Sequence, residues 1–399
     1  MVAMGNSLPH LTFVIHNIEG GIASMNHQII ENAEFNKNFN VHILLWRSLE
    51  ENAKDFRDSF NNAVDTVEFR FSIFDNHYRT LKRFNRILNK WPGLIVTNDG
   101  LELEALRQFG TQSVLFAIIH DFYNLKLAVE NLDLVDYFIC HTDTFSRALQ
   151  SNIALKERTA FILHGVRTVK IDLLAGLKSE SKLKIVSISR LTERKGVLLF
   201  SAIDKLLLER GIEVDWLIIG SGELEIPLRD EWSGKNNIEF YKPDSGAEVY
   251  RLAQTGDVFI SPSVFEGYGI ALLEAMSCGL VPVVHKLPIG IYSNLPSEVG
   301  CLVEMGDIGG FADFIGRLHK DRDLLYRMKE KANELVRSVY DISGTSKKFM
   351  EYFTTHSDHQ IDRNRRLKKV TKFGLLDRPI IPGFLTRAIR RWRNSKSKL

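Results

Sequence analysis

Short, largely apolar runs recur along the chain, each followed by a stretch with helical periodicity, and they fall into two series. The first comprises Leu11 to Ile15, Val41 to Trp46, Leu94 to Thr97, Val114 to Ile119, Tyr137 to Cys140 and Ala160 to Leu163. The second comprises Leu183 to Ile188, Val214 to Ile219, Ile238 to Tyr241, Val258 to Ser261, Val281 to Val284 and Cys301 to Val303. A strand that is apolar at every position has no solvent face, so it belongs in a parallel sheet covered by helices on both sides. At 399 residues the chain also exceeds what one core usually serves. The expected fold is therefore α/β, with two doubly wound parallel-sheet, Rossmann-like domains facing across a cleft. The expected boundaries are a first domain over 1–166, a linker over 167–182, a second domain over 183–345, and C-terminal helices with a basic amphipathic tail over 346–399. Ligands of such sheets bind beyond the carboxyl ends of the strands, which makes the cleft the expected site.

Composition narrows the setting. With 44% hydrophobic and 25% charged residues the chain can fill its cores, and no apolar run approaches the ~18 residues of a membrane-spanning helix. The N-terminus lacks a basic segment followed by a long apolar one, so residence in the cytoplasm is expected. Cys140, Cys278 and Cys301 sit in apolar runs without metal-ligand spacing and read as buried thiols. The net charge of +3 conceals a tail, 361–399, with thirteen Lys or Arg against two Asp. A basic tail on an acidic body points to an anionic partner.

The most specific segment is Phe265-Glu266-Gly267-Tyr268-Gly269-Ile270-Ala271-Leu272-Leu273-Glu274. Gly267 and Gly269 can bring backbone N–H groups close to a ligand, and the helix that follows offers unpaired amides and a partial positive charge to a phosphate. Glu266 and Glu274 supply two acceptors for hydroxyls. With the strand before it and Ala275 to Val284 after it, the segment closely resembles the signature of retaining family 4 glycosyltransferases, which have the GT-B fold. That resemblance implies that Glu266 binds donor-sugar hydroxyls and Glu274 the nucleotide ribose, with Gly267, Tyr268, Gly269 and Ile270 lining the nucleotide site.

Further residues follow from the same resemblance. Ser189-Arg190-Leu191 to Lys195-Gly196 is similar to the family's diphosphate-binding loop, with Ser189 in place of a glycine. Arg190 and Lys195 would stabilise the charge of the departing diphosphate, in place of a divalent metal. Gly220-Ser221-Gly222 resembles a segment that approaches the nucleotide, although a simple tight turn fits equally well. Lys242 falls where the family's loop passes the base. Gly20 and Gly21 resemble the glycine loop beside donor phosphate and acceptor, and His120 the histidine near the reacting carbon. Asp121 has a less certain role, and His164 stands where the family has Asn. Arg194 and Glu193 read as ordinary loop charges, and Asp321-Arg322-Asp323 as a solvated helix face, so no metal site is expected.

The implied activity is retaining, metal-independent transfer of a sugar from a UDP- or GDP-sugar, the co-substrate in place of a cofactor, to an acceptor hydroxyl in cell-surface polysaccharide, lipopolysaccharide or glycolipid assembly. The alternatives are a sugar-nucleotide epimerase of the same fold and a catalytically silent binding subunit. Two segments suggest a lipid-linked or glycan acceptor at the inner face of a membrane. Tyr78 to Trp91 has basic residues on one helical face and Leu81, Phe84, Leu88 and Trp91 on another. The tail sets Phe384, Leu385, Ala388, Ile389 and Trp392 beside arginines, a pattern that fits an anionic membrane surface better than nucleic acid.

Overall fold

The computed structural model describes residues 8–18, 20–31, 33–51, 65–171, 182–357 and 373–396. Most of the expected linker, at 172–181, lies outside the described residues, as do 1–7 and the most basic part of the tail at 358–372. The chain divides into two units, one of Met1–Ile162 with Ser346–Leu399 and one of Leu163–Thr345.

Among the described residues the N-terminal unit has seven strands: β1 (His10–His16), β2 (Asn40–Ser48), β3 (Asp65–Phe71), β4 (Leu94–Thr97), β5 (Val114–Ile119), β6 (Tyr137–Cys140) and β7 (Thr159–Phe161). They form one sheet in the order β3-β2-β1-β4-β5-β6-β7, with every pairing parallel. The C-terminal unit holds β8 (Leu183–Ile188), β9 (Val214–Ile219), β10 (Ile238–Tyr241), β11 (Val258–Ser261), β12 (Val281–His285) and β13 (Cys301–Val303). Their order is β10-β9-β8-β11-β12-β13, again all parallel. These are the two doubly wound sheets that the apolar runs imply, because β4, β5, β6, β11 and β12 are buried at every position.

One strand escapes the sequence pattern. β3 lies at the edge of its sheet, where Glu68 and Arg70 are tolerated and only Phe69 is fully buried, so it has no continuous apolar run. Another difference concerns Cys301, expected to be buried, which is only half-buried on β13. The chain beyond Ser346 joins the N-terminal unit because helix Ile342–His356 brings Phe349 and Phe353 into its core. Phe353 meets Phe13, Phe39 and Phe116 edge-on, and burial of each such ring contributes about 1.5–3 kcal/mol.

The helix expected to lie on lipid, Tyr78 to Trp91, is instead part of this core. It forms over His77–Leu88, and Leu81, Phe84 and Leu88 are fully buried. Trp91 stacks on His42 at 4.0 Å. Its apolar face is occupied by protein and is not available to a membrane. Among the described residues no helix is long and apolar enough to cross a membrane.

Candidate functional site

In each sheet the first strand has one neighbour that follows it in the chain and another reached by crossing back, so the loops after these two strands diverge and leave a crevice. In the C-terminal unit this switch point lies between β8 and β11. The loops that leave their carboxyl ends carry most of the expected site residues.

The loop after β8 runs Ser189, Arg190, Leu191 and Thr192 into a short 3-10 turn, Glu193–Lys195, closed by Gly196 at φ 64°. Leu191 anchors it in the core. Its backbone is tied to the loop after β9, since Leu191 N donates to Ser221 O at 2.9 Å and Leu224 N to Leu191 O at 2.9 Å. A Cβ on Gly220 would stand 1.9 Å from Ser189 O, and one on Gly222 2.3 Å from Leu191 O. Close backbone packing therefore requires glycine at both positions, which is compatible with a tight turn and with a backbone contact to a nucleotide. On the other side, Val264 N donates to Arg194 O at 3.0 Å, and a Cβ on Gly196 would stand 2.1 Å from Pro262 O.

Across this seam Lys195 Nζ meets Glu266 Oε1 at 2.7 Å, with the two side chains 22% and 11% exposed. A cation from the β8 loop and a carboxylate from the β11 loop thus share one half-buried position. Arg190 is exposed at the same sheet end. Arg194 turns away to lie over the Phe265 ring at 4.2 Å, which gives it a packing role. Lys242, after β10, is exposed.

Helix Ile270–Ser277 starts directly after this turn. Gly269 is its N-cap at φ 99°, and no side chain caps its first turn. A side chain at Gly269 would also strike the Tyr292 ring at 2.5 Å. The first-turn amides are therefore left for an acceptor of another kind, the arrangement by which helix N-termini hold phosphate. Gly267 is half-buried, and Ile270 is buried. Tyr268 is buried and donates its hydroxyl to His164 O at 2.7 Å, which makes it a brace inside the unit. Burial moves the Tyr268 phenol well above its ordinary pKa. Glu274 is half-buried on the second helical turn; the Tyr250 phenol, raised chiefly by its own burial, is raised further by this carboxylate.

The N-terminal unit has its switch point between β1 and β4. Gly20 caps helix Gly21–Ile30 without a side-chain bond, and added Cβ atoms on Gly20 and Gly21 would meet nothing within 4 Å. Gly20 is extended, at φ 168°, so neither strain nor packing requires glycine there. His120, at the end of β5, is buried and donates from Nε2 to Asn98 Oδ1 at 2.7 Å. Asn98 Nδ2 donates to Val14 O at 2.8 Å, which turns Oδ1 toward His120 and toward Asn26 Nδ2 at 3.1 Å. The imidazole therefore carries its proton on Nε2. His141, 5.5 Å away between ring centres, is held neutral by burial, with its pKa lowered to about 4. Asp121 is the N-cap of helix Phe122–Glu130, accepting from Asn124 N at 2.9 Å.

Asn98 and Asn26 were not singled out in the sequence. The available signal was Asn98-Asp99-Gly100 directly after the buried β4, a polar step at a strand's carboxyl end. Asp321 caps helix Arg322–Val339 through Leu324 N at 2.8 Å. Among the described residues no cluster of His, Cys, Asp or Glu has the arrangement of a metal site.

Residues 174–335 match the family model described as glycosyl transferases group 1. A putative colanic acid biosynthesis glycosyltransferase, WcaL of Escherichia coli K12, is 29% identical over 214 residues, 50% of this chain and 52% of that protein. An Escherichia coli UDP-Gal:alpha-D-GlcNAc-diphosphoundecaprenol alpha-1,3-galactosyltransferase is 29% identical over 168 residues, 41% of this chain and 43% of that protein. The matches thus span about half the length of these relatives. Among solved structures, Anabaena Alr3699/HepE in complex with UDP-glucose superposes with a TM-score of 0.70 over 87% of this chain and 100% of that one, at 16% identity. In fold, and in the matched C-terminal region, the chain resembles the group 1 glycosyltransferases of GT-B architecture.

Proposed function

We propose that the chain is a glycosyltransferase that moves a sugar from a nucleotide-sugar donor to an acceptor hydroxyl with retention at the anomeric carbon. The observation that carries this reading is the Lys195–Glu266 pair, 2.7 Å apart at the β8/β11 switch point and four residues before the uncapped helix Ile270–Ser277. A donor brings both partners of that pair a better use: its diphosphate takes the lysine and the helix amides, and its sugar hydroxyls take the carboxylate. Arg190 adds a second cation to the diphosphate, and Glu274 binds the ribose. His120, with its proton on Nε2, and the open Gly20-Gly21 loop are assigned to the donor sugar and the acceptor.

As the bond from the anomeric carbon to the diphosphate oxygen breaks, the acceptor oxygen bonds to that carbon on the same face. The acceptor's proton passes to the leaving diphosphate, whose charge is held by fixed cations and N–H dipoles. Because Arg190 and Lys195 take this electrostatic part, transfer is expected to persist in a chelator. The names of the relatives, one of colanic acid biosynthesis and one with a diphosphoundecaprenol-linked acceptor, support a glycan or lipid-linked acceptor in polysaccharide assembly, and we extend this to lipopolysaccharide or glycolipid assembly and to a peripheral position at the cytoplasmic face of a membrane.

The test begins with a thermal-shift screen of UDP- and GDP-sugars, in which a donor at a hundred times its dissociation constant adds ~2.7 kcal/mol of stability. The stabilising donor is then supplied with lipid-linked acceptors, and the anomeric configuration of the product is read by NMR. Stabilisation by no nucleotide sugar, or an inverted product, would overturn the reading.

A further inference from the structure

Helix Gly383–Lys396 is docked the wrong way round for an ordinary surface helix. Amphipathic helices usually bury their apolar stripe against the protein and turn their charges to water. Here the polar side faces the protein. Thr386 is fully buried and donates to Leu376 O at 2.8 Å. Arg387 Nε donates to Asp75 Oδ1 at 2.8 Å. Arg390 reaches Asp75 O at 2.6 Å and Asp377 Oδ2 at 2.6 Å. Asp377 in turn accepts from His77 N at 2.7 Å, so the tail is clamped to the start of helix His77–Leu88.

The apolar side consequently faces outward. Phe384 is 77% exposed, Leu385 42% and Trp392 58%, and in the segment before the helix Leu375 and Ile380 are 68% and 79% exposed. At helical spacing Phe384, Leu385, Ala388, Arg391 and Trp392 share one face. An exposed cluster of this kind marks an interaction surface rather than a solvated helix.

We infer that this outward face of helix Gly383–Lys396 is a docking surface for an anionic phospholipid bilayer. Charge selects the occupant. Arg391 and Arg393 are exposed on the helix, and Lys82, Arg83 and Arg86 are exposed on helix His77–Leu88, to which Arg79 ties the tail through Ile381 O and Pro379 O. A second copy of the chain would bring these like charges together. Nucleic acid would leave the Phe, Leu and Trp side chains without an apolar partner. Anionic headgroups over acyl chains satisfy both sets, and aromatic rings with arginines at the headgroup level are the mark of interfacial helices. Burial of Thr386 and the Asp75 and Asp377 pairs fix the helix in advance, so little ordering cost attends docking. This surface stands independently of the sugar-transfer reading, because its test reads binding and not turnover.

The full chain is floated with phosphatidylcholine vesicles with and without phosphatidylglycerol, beside a triple variant, Phe384→Ser, Leu385→Ser and Trp392→Ser, and a double variant, Arg391→Glu and Arg393→Glu. The parent is expected to float with the anionic vesicles alone and either variant to bind at least about tenfold more weakly, with an unchanged melting midpoint, since none of these five side chains is buried. A difference spectrum against Trp392→Phe should show the Trp392 emission moving to the blue on binding. Three results would overturn the inference: no flotation of the parent at low salt, equal flotation of parent and both variants, or a dimer in sedimentation that the triple variant dissolves.

Discussion

At the switch point of the C-terminal unit the loops after β8, β9 and β11 are pinned to one another through backbone atoms, and Gly196, Gly220 and Gly222 are needed because their neighbours are carbonyls at contact distance. At the switch point of the N-terminal unit, a Cβ added to Gly20 or Gly21 would meet nothing within 4 Å, and the polar groups nearby belong to a buried side-chain network of Asn26, Asn98 and His120. One topology thus presents two kinds of surface. The first is a rigid frame that fixes a cation and a carboxylate in place. The second is an open backbone loop beside one histidine whose proton position is set from behind.

The largest expected effect falls on the rigid frame. Lys195→Ala and Glu266→Gln should each lower sugar-transfer turnover by ~10²–10³ with the fold intact, since electrostatic contacts to the leaving diphosphate and to the reacting sugar carry several kcal/mol. Near-normal transfer by both purified variants would break the comparison at its strongest point. Glycine substitutions sharpen it further. Gly220→Ala must push a Cβ into Ser189 O from φ 138°, and is expected to cost about 1–3 kcal/mol in unfolding free energy. Gly20→Ala should change stability by less than about 0.5 kcal/mol and yet reduce transfer. Equal melting points for the two would show that the loops do not differ in the way described.

Asn98→Ala removes the acceptor shared by His120 and Asn26 and should destabilise by about 1–3 kcal/mol. If Asn98 also positions His120 for the sugar, kcat should fall in Asn98→Asp by less than in Asn98→Ala, because a carboxylate oxygen still accepts from Nε2. A pH dependence of stability is expected from the N-terminal unit as well. Glu102 is wholly buried, and burial, with Asp99 next, pushes its pKa from 4.5 up to about 8. The folded state keeps this proton while the unfolded state loses it. The contribution of Glu102 is therefore complete below about 4.5 and is lost as pH rises toward about 8. His141 works in the opposite sense: its contribution is complete above 6.5 and is lost as pH falls toward about 4. Thermal unfolding between pH 4 and 8 should show Glu102→Gln flattening the alkaline limb only; an unchanged limb would remove Glu102 from the account.

Much of the fold is legible in the chain because parallel strands are buried on both faces and write themselves as apolar runs. β3 is the instructive exception: with Glu68 and Arg70 partly facing water at a sheet edge, its period is lost in the surrounding polar sequence. The candidate site is legible for a different reason. Arg190, Lys195 and Glu266 lie in loops that follow strands and Glu274 on the helix after them, and the motifs that hold them resemble a family signature. Tyr268, Gly220 and Gly222 sit in the same motifs and also serve packing, which only their neighbours' positions reveal. The Tyr78 to Trp91 stripe failed as a membrane face for the related reason that a helical period states that one side is apolar, not what covers it.

By itself, then, the sequence determined the strands other than β3, their parallel pairing into two sheets, and the run of charges after β8 and β11, because each follows from spacing along the chain. Tertiary structure alone decided that Lys195 reaches Glu266, that Asn98 orients His120, and that the tail helix shows its apolar side outward. Those facts depend on partners 71, 22 and about 300 residues away in the chain, beyond the reach of any local pattern.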